Sequence, residues 1–375
     1  MKNSNVPTRL PVRPEFADEQ PYGAPQLDVP ICLNVNENPY PPSPELIASI
    51  QEAVGRAAAS LNRYPDRECI NLRADLVDYL AEEAGVRLSP EQIWAANGSN
   101  EIISQLMTAF VGTGRTVLSF APTYSMYPEY ARNCYARYLA APRTDTHDID
   151  IDAARVLCEK ERPAIILLAS PNNPTGTALP QAQLVELLEI ARTTGPDEGT
   201  SSIVVVDEAY GEFRREGVPS ALELLDKYDN LVVSRTMSKA FGAAGLRLGY
   251  MAASQEIVDQ IRVVRLPYHL SAITQAAARA ALAHRAPLRE QVAAIRCNRD
   301  RMADDLRSMG LTVLDSDANF VLFGTFDNRH ALWQAILERG ILIREVGPEG
   351  FLRVSIGTDE ENAAFLVALK EVIHG

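Results

Sequence analysis

No CxxC pair, no clustered histidines and no apolar run longer than a strand occur in this chain of 375 residues. The five cysteines (Cys32, Cys69, Cys134, Cys158 and Cys297) are scattered and odd in number, which suits buried free thiols in a reducing cytoplasm. The five histidines are equally dispersed, so no metal site is expected. The longest apolar runs, such as 164–169, are far too short to span a bilayer, and the first residues lack the apolar core of a signal peptide. A cytoplasmic protein is expected. Positive charge is also in short supply: 36 Lys and Arg against 49 Asp and Glu leave a net −13. That balance argues against general affinity for nucleic acid or anionic membranes, but a few clustered arginines can still receive an anionic small molecule.

Proline is abundant in one place. Ten of the 24 prolines lie within the first 44 residues, which rules out a regular helix or interior strand there. Leu27, Val29, Ile31, Leu33 and Val35 alternate with other residues, so from about residue 22 the segment reads as an ordered, extended arm rather than a free tail. From Pro44 onward helices and short strands alternate. Helices are expected at 44–59, 70–84, 102–110 and 181–192, and strands at 93–96, 116–120, 164–169, 203–206, 231–234 and 248–252. This rhythm predicts an α/β fold whose mainly parallel sheet is covered by helices. After helices at 273–284 and 288–309 come short strands at 312–314, 319–323, near 341 and at 351–356, a helix at 330–338, and a closing helix from 360. The chain therefore divides into an N-terminal arm (1–44), a large domain (45–286) and a small α+β domain (287–375).

In an open α/β sheet, ligands bind outside the carboxyl ends of the strands, and the polar clusters fall there. Asp207 ends one apolar run and opens Asp207-Glu208-Ala209-Tyr210. Lys239 follows another, in Thr236-Met237-Ser238-Lys239, ahead of Gly245-Leu246-Arg247-Leu248-Gly249. A buried acid can keep a pyridinium nitrogen protonated and a lysine can form a Schiff base with an aldehyde, the two protein groups that pyridoxal phosphate (PLP) most needs. Thr236, Ser238 and Arg247 would anchor the phosphate nearby. Gly98-Ser99-Asn100 bridges a strand and a helix and could hold a phosphate on the helix dipole, although taken alone a plain helix cap is the stronger reading. The turn Pro171-Asn172-Asn173-Pro174-Thr175-Gly176 could aim Asn173 at a ligand or merely reverse the chain, and Tyr124 could stack on a cofactor or simply pack.

Taken together, these segments resemble the fold type I, class II aminotransferases. The signature appears as Thr236 to Lys239 followed by Gly245-Leu246-Arg247-Leu248-Gly249, with Asn173-Pro174-Thr175-Gly176 and Asp207 to Tyr210 in the family's order. Within the class the chain is most similar to the histidinol-phosphate aminotransferases of the actinobacterial type. That likeness rests on Pro21-Tyr22-Gly23-Ala24-Pro25, Leu33-Asn34-Val35-Asn36-Glu37-Asn38-Pro39-Tyr40, Arg63-Tyr64-Pro65-Asp66, the run Leu266 to Ser271, and Phe351-Leu352-Arg353-Val354-Ser355-Ile356-Gly357-Thr358. The likeness covers nearly the whole chain from about residue 27 and implies a seven-stranded, mainly parallel sheet in the large domain.

The same resemblance implies roles. Lys239 would hold PLP as a Schiff base and then shuttle the proton, and Asp207 would pair with the ring nitrogen. Tyr210 and Asn173 would hold the ring's phenolic oxygen, and Tyr124 would stack on the ring. Ser99, Asn100, Thr236, Ser238 and Arg247 would surround the phosphate, joined by Tyr64 from the partner subunit of a homodimer, across whose interface the N-terminal arm would also contribute. Arg353, with Arg344 as second donor, would grip the substrate phosphate, and Tyr22, Tyr268 and Asn100 would help; for both arginines a surface salt bridge is the plainer alternative. The expected reaction is ping-pong transfer of the amino group of L-histidinol phosphate to 2-oxoglutarate, in histidine biosynthesis. An aromatic amino acid aminotransferase and a PLP decarboxylase of a phosphorylated amino acid remain as rivals. A PLP-binding transcription regulator would need a DNA-binding module, for which the proline-rich N-terminus and the acidic charge leave no room.

Overall fold

A computed structural model of the chain describes residues 10–17, 19–21 and 23–374. Its strands are β1 (Ile31–Cys32), β2 (Ile93–Ala96), β3 (Thr116–Ala121), β4 (Arg137–Pro142), β5 (Ile165–Ala169), β6 (Ile203–Asp207), β7 (Leu231–Thr236), β8 (Gly249–Ala253), β9 (Thr312–Val313), β10 (Phe320–Gly324), β11 (Ile341–Leu342) and β12 (Leu352–Ser355). The helices are α1 (Pro44–Ala58), α2 (Ile70–Ala84), α3 (Ser99–Phe110), α4 (Tyr127–Asn133), α5 (Ile151–Glu161), α6 (Gln181–Ala191), α7 (Gln255–Val264), α8 (Ala272–Ala283), α9 (Arg285–Ser308), α10 (Arg329–Leu337) and α11 (Asp359–His374).

Seven strands form one sheet in the order β2-β8-β7-β6-β5-β3-β4. β8 pairs antiparallel with both β2 and β7, and the β3–β4, β3–β5, β5–β6 and β6–β7 pairs are parallel. The sheet is buried on both faces, as its unbroken apolar runs require. Leu118, Ile166, Val204 and Val233 pack into one helical layer, and Val117, Ile165, Val205 and Val232 into the other. The fold is thus the α/β, mainly parallel seven-stranded architecture expected.

Local chemistry sets the helix limits. The Ser43 side chain accepts the Leu46 N–H at 3.2 Å ahead of Pro44, which starts α1. Gly85, at φ 68°, ends α2. β7 runs on to Thr236, two residues beyond the predicted strand, which places Thr236 at a strand end.

A second, antiparallel sheet has the order β12-β10-β9. Phe320, Phe323, Leu352, Val354 and Phe365 build a core there with Ile295 and Met302 of α9. The arm crosses between the two cores. β1 pairs parallel with β11, the Leu33 N–H donates to Leu342 O at 2.7 Å, and the Ser355 N–H donates to Leu33 O at 2.9 Å. Side-chain alternation buries Leu33 and turns Cys32 outward. Cys297 is exposed too, so the expectation of buried thiols holds for Cys69 and Cys158 but not for these two. Among the described residues, no helix is long and apolar enough to cross a membrane.

Candidate active site

The cleft lies at the carboxyl ends of β3, β5, β6 and β7, encloses about 280 Å³, and is closed on one side by residues 34–36 of the arm. β8 runs against its neighbours, so it is its first residue, Gly249, that sits at this end, opposite Thr236 of β7 and Ala96 of β2.

Asp207 ends β6 and is buried. Ser234 donates to its Oδ1 at 3.0 Å, and the Tyr127 hydroxyl lies 3.5 Å from its Oδ2. Burial pushes the carboxyl up to about 6, while the Ser234, Ala209 and Tyr127 hydrogen bonds pull the other way. The next residue, Glu208, points to the other side and meets the buried Arg235 at 2.7 Å. Strand alternation thus decides which of two adjacent acids faces the cleft.

Lys239 donates from Nζ to Val35 O at 2.7 Å. Burial lowers the amine to about 8, with the Arg353 and Arg247 charges adding to the effect and Glu37 opposing it. Tyr210 Oη accepts from Asn36 Nδ2 at 2.9 Å and from Asn173 Nδ2 at 3.5 Å. Asn173 Oδ1 accepts from Arg353 Nη1 at 2.6 Å, and Arg353 Nη2 donates to Asn34 O at 2.7 Å. Tyr124 borders the cleft edge-on to Tyr127, with ring centroids 5.6 Å apart.

Around the preceding residue, Ser238, the groups suit an anion. Gly98 (φ 82°) precedes α3, whose first turn carries Ser99 and Asn100. Thr236 Oγ1 donates to Ser238 Oγ at 3.0 Å, and Arg247 Nη1 reaches Ser238 Oγ at 3.4 Å. Two glycines make this packing possible: a Cβ on Gly249 would lie 2.2 Å from Ser99 N, and one on Gly98 2.8 Å from Arg247 Nη2. Backbone donors, hydroxyls and a guanidinium converge here.

Arg344 and Arg353 stand directly opposite each other, exchanging backbone hydrogen bonds of 3.0 and 2.9 Å. Directly opposed residues project from the same face, and both line the cleft.

Of the residues singled out in the sequence, Ser99, Asn100, Tyr124, Asn173, Asp207, Tyr210, Thr236, Ser238, Lys239, Arg247, Arg344 and Arg353 all border this one cleft. Tyr64 and Tyr268 do not. They stack on each other at 4.3 Å on the surface, with Tyr64 79% exposed. Tyr22 lies outside the described residues. Asn34, Val35 and Asn36 went unassigned as site residues, although the polar run Asn34 to Asn38 within an apolar alternation marked them. Tyr127 and Ser234 carried no signal.

A lysine and an acid at adjacent strand ends beside an anion cradle fit the class that the comparisons show: an aminotransferase. The family described as Aminotransferase class I and II matches residues 29–369. Histidinol-phosphate aminotransferase 3 of Burkholderia lata is 53% identical over 97% of this chain and 96% of its own length. Histidinol-phosphate aminotransferase of Thermobifida fusca is 52% identical over 96% of this chain and 95% of its own. Among solved structures, histidinol-phosphate aminotransferase from Sinorhizobium meliloti in complex with pyridoxal-5'-phosphate superimposes with a TM-score of 0.78. It shares 27% identity, covering 92% of this chain and 91% of that one. The chain belongs to the histidinol-phosphate aminotransferase family of the class I and II aminotransferases.

Proposed function

We propose that this enzyme is PLP-dependent and transfers the amino group of L-histidinol phosphate to 2-oxoglutarate, giving imidazole acetol phosphate and glutamate. The residues fit the cofactor. Asp207 is buried with no cationic neighbour among the forces on it, so a protonated ring nitrogen would supply the missing positive charge. The cradle of Ser99, Asn100, Thr236, Ser238 and Arg247 suits its phosphate, Tyr124 its ring face, and Tyr210 with Asn173 its ring oxygen. PLP supplies an aldehyde for the substrate nitrogen and a ring that takes up the electrons left behind by the α-proton.

Lys239 moves that proton. Held near 8, roughly one lysine in ten is neutral at pH 7, against about one in three thousand at the ordinary value. As a neutral amine it would take the proton from the substrate α-carbon and return it, across the substrate nitrogen, to the former aldehyde carbon of PLP. Asp207 would hold the ring nitrogen, its carboxylate oriented by Ser234 and Tyr127. The arm excludes water from the Lys239 side through Val35.

The observation that carries the substrate reading is the same-face pair of Arg344 and Arg353. A phosphate monoester near two negative charges engages two guanidinium forks, whereas a carboxylate needs one. We also propose a division into arm (1–44), large domain (45–286) and small domain (287–375), for which the second, antiparallel sheet of β9, β10 and β12 speaks; its core is shared with Leu33 of the arm and with Tyr210, Phe213 and Ala240. A homodimer completes the reading. Leu61, Tyr64, Ile70, Leu266 and Tyr268 are exposed apolar side chains that a second copy would cover, with Tyr64 and Tyr268 reaching the cofactor phosphate and substrate of the partner's cleft.

The test is kcat/KM for L-histidinol phosphate, phenylalanine and tyrosine with 2-oxoglutarate as acceptor. Preference for histidinol phosphate, with parallel double-reciprocal lines, is expected. Preference for phenylalanine would make the enzyme an aromatic aminotransferase, and carbon dioxide release without a keto acid would make it a decarboxylase.

A further inference from the structure

Asn36 belongs to no catalytic motif, yet it is 2% exposed and holds φ at 58°, a left-handed conformation that Gly or Asn tolerates best. Its backbone N–H donates to Ser355 Oγ at 2.9 Å, the Ser355 hydroxyl donates back to Asn36 Oδ1 at 2.9 Å, and Asn36 Nδ2 donates to the Tyr210 oxygen at 2.9 Å. Asn319 Nδ2 donates to the Asn36 carbonyl at 3.0 Å.

The directions of these bonds follow from what each group can do. A backbone N–H only donates, so it takes a lone pair of Ser355 Oγ and leaves the serine hydrogen for Asn36 Oδ1. With its oxygen committed, the Asn36 amide turns its NH₂ toward Tyr210. On the other side of the ring hydroxyl, Arg353 only donates. It therefore fixes Asn173 Oδ1 and turns Asn173 Nδ2 toward the same Tyr210 oxygen. Glycine would serve the left-handed turn at position 36 equally well; what asparagine adds is the amide on Tyr210. An N–H donated to a hydroxyl oxygen polarises that hydroxyl and strengthens its own donation.

We propose that Asn36, oriented by Ser355, is a positioning residue for amino transfer: by donating to the Tyr210 oxygen it strengthens the hydrogen bond from Tyr210 to the anionic ring oxygen of bound PLP. Arg353 and Ser355, two residues apart on β12, thereby converge on one hydroxyl, Arg353 through Asn173 and Ser355 through Asn36. The inference rests on the placement of Tyr210 beside the ring oxygen proposed above.

The experiment is a pH titration of the visible absorption of the PLP-loaded protein. A donor to the ring oxygen stabilises its anion and eases loss of the proton beside it, so removing the donor moves the midpoint to higher pH. Tyr210→Phe is expected to raise the midpoint by about 1–2 units. Asn36→Gly keeps the backbone unstrained and is expected to raise it by roughly 0.2–0.5 unit. In the Tyr210→Phe background, Asn36→Gly is expected to add nothing.

An equal shift in both backgrounds, or none from Asn36→Gly where Tyr210→Phe shifts, overturns the positioning role. No shift from Tyr210→Phe overturns the placement of Tyr210 and the inference with it. Should Asn36→Gly fail to retain PLP, Ser355→Ala takes its place, with the same expected shift and the same two refutations. Thermal unfolding of the PLP-free variants separates a purely structural role, which lowers the melting temperature and leaves the midpoint alone.

Discussion

Replacing Arg344 by glutamine tests the proposed recognition of the substrate phosphate. Arg353 is a poor probe for this, because its guanidinium also holds Asn173 and Asn34 O, and its loss would loosen both the arm and Tyr210. The ladder bonds between Arg344 and Arg353 involve only backbone and persist whatever side chain stands at 344. Removing one charge-assisted hydrogen bond to a phosphate costs about 1.5–3 kcal/mol. That corresponds to a fall of roughly 10- to 150-fold in kcat/KM, toward the lower end because Arg344 is only half-buried. The comparison substrate is L-histidinol, which keeps the amine and imidazole but lacks the phosphate. Arg344→Gln should leave kcat/KM for L-histidinol within about threefold, since that substrate carries no phosphate for the Arg344 side chain to hold. Initial rates with both amines under saturating 2-oxoglutarate give the ratio. Equal losses on the two substrates would mean that Arg344 supports the fold of the cleft, and no loss on histidinol phosphate would remove it from the phosphate site.

Lys239→Ala should still take up PLP while turnover falls by at least about 10²–10⁴-fold, the ordinary contribution of a general acid–base; absorbance titration and steady-state rates read the two quantities separately. Asp207→Asn should stabilise the PLP-free protein. The wild-type carboxyl binds its proton more tightly when folded, near 6 against an ordinary 3.8, so stability is full below about 4 and is lost as pH rises through 6. The loss reaches about 3 kcal/mol at pH 7, so the melting temperature of the variant should exceed wild type there and converge with it near pH 4, while turnover falls. Gly249→Ala forces a Cβ against the backbone of Ser99 and should weaken PLP binding by roughly 5- to 150-fold, whereas Gly245→Ala, with open space around it, should leave the dissociation constant unchanged.

The sheet strands could be read from the sequence wherever they are buried on both sides, because Ile203–Asp207 and Ile165–Ala169 are nearly unbroken apolar runs. β4 was missed for the opposite reason. As an edge strand it alternates between half-buried and exposed residues, begins with Arg137 and ends on Pro142, a residue that an interior strand rejects. The reversed direction of β8 has no local sequence cue, since its run of small and apolar residues would suit either orientation. In the cleft, residues clustered at strand ends were legible because strand ends converge in this fold. Tyr127 and Ser234 were not, and Asn36 stood out only as part of a polar run, because each acts through a contact formed only after distant segments pack: 174 positions separate Asn36 from Tyr210, and 80 separate Tyr127 from Asp207.

The threading of the arm also has a consequence for how the enzyme is made. Asn36 lies 319 positions before Ser355, the hydroxyl that completes its bonds. On a ribosome adding about 5–20 residues per second, roughly 15–60 s pass between the two. Throughout that interval the arm has no β12 beside it, and once Lys239 has been made its pocket stays open to solvent until β12 follows. A segment that must wait in water is served by Asn34, Asn36 and Asn38, which hydrate without aggregating, better than by further apolar residues. The catalytic cleft is therefore among the last parts of the molecule to close, and every nascent chain that stalls before residue 355 leaves it unfinished.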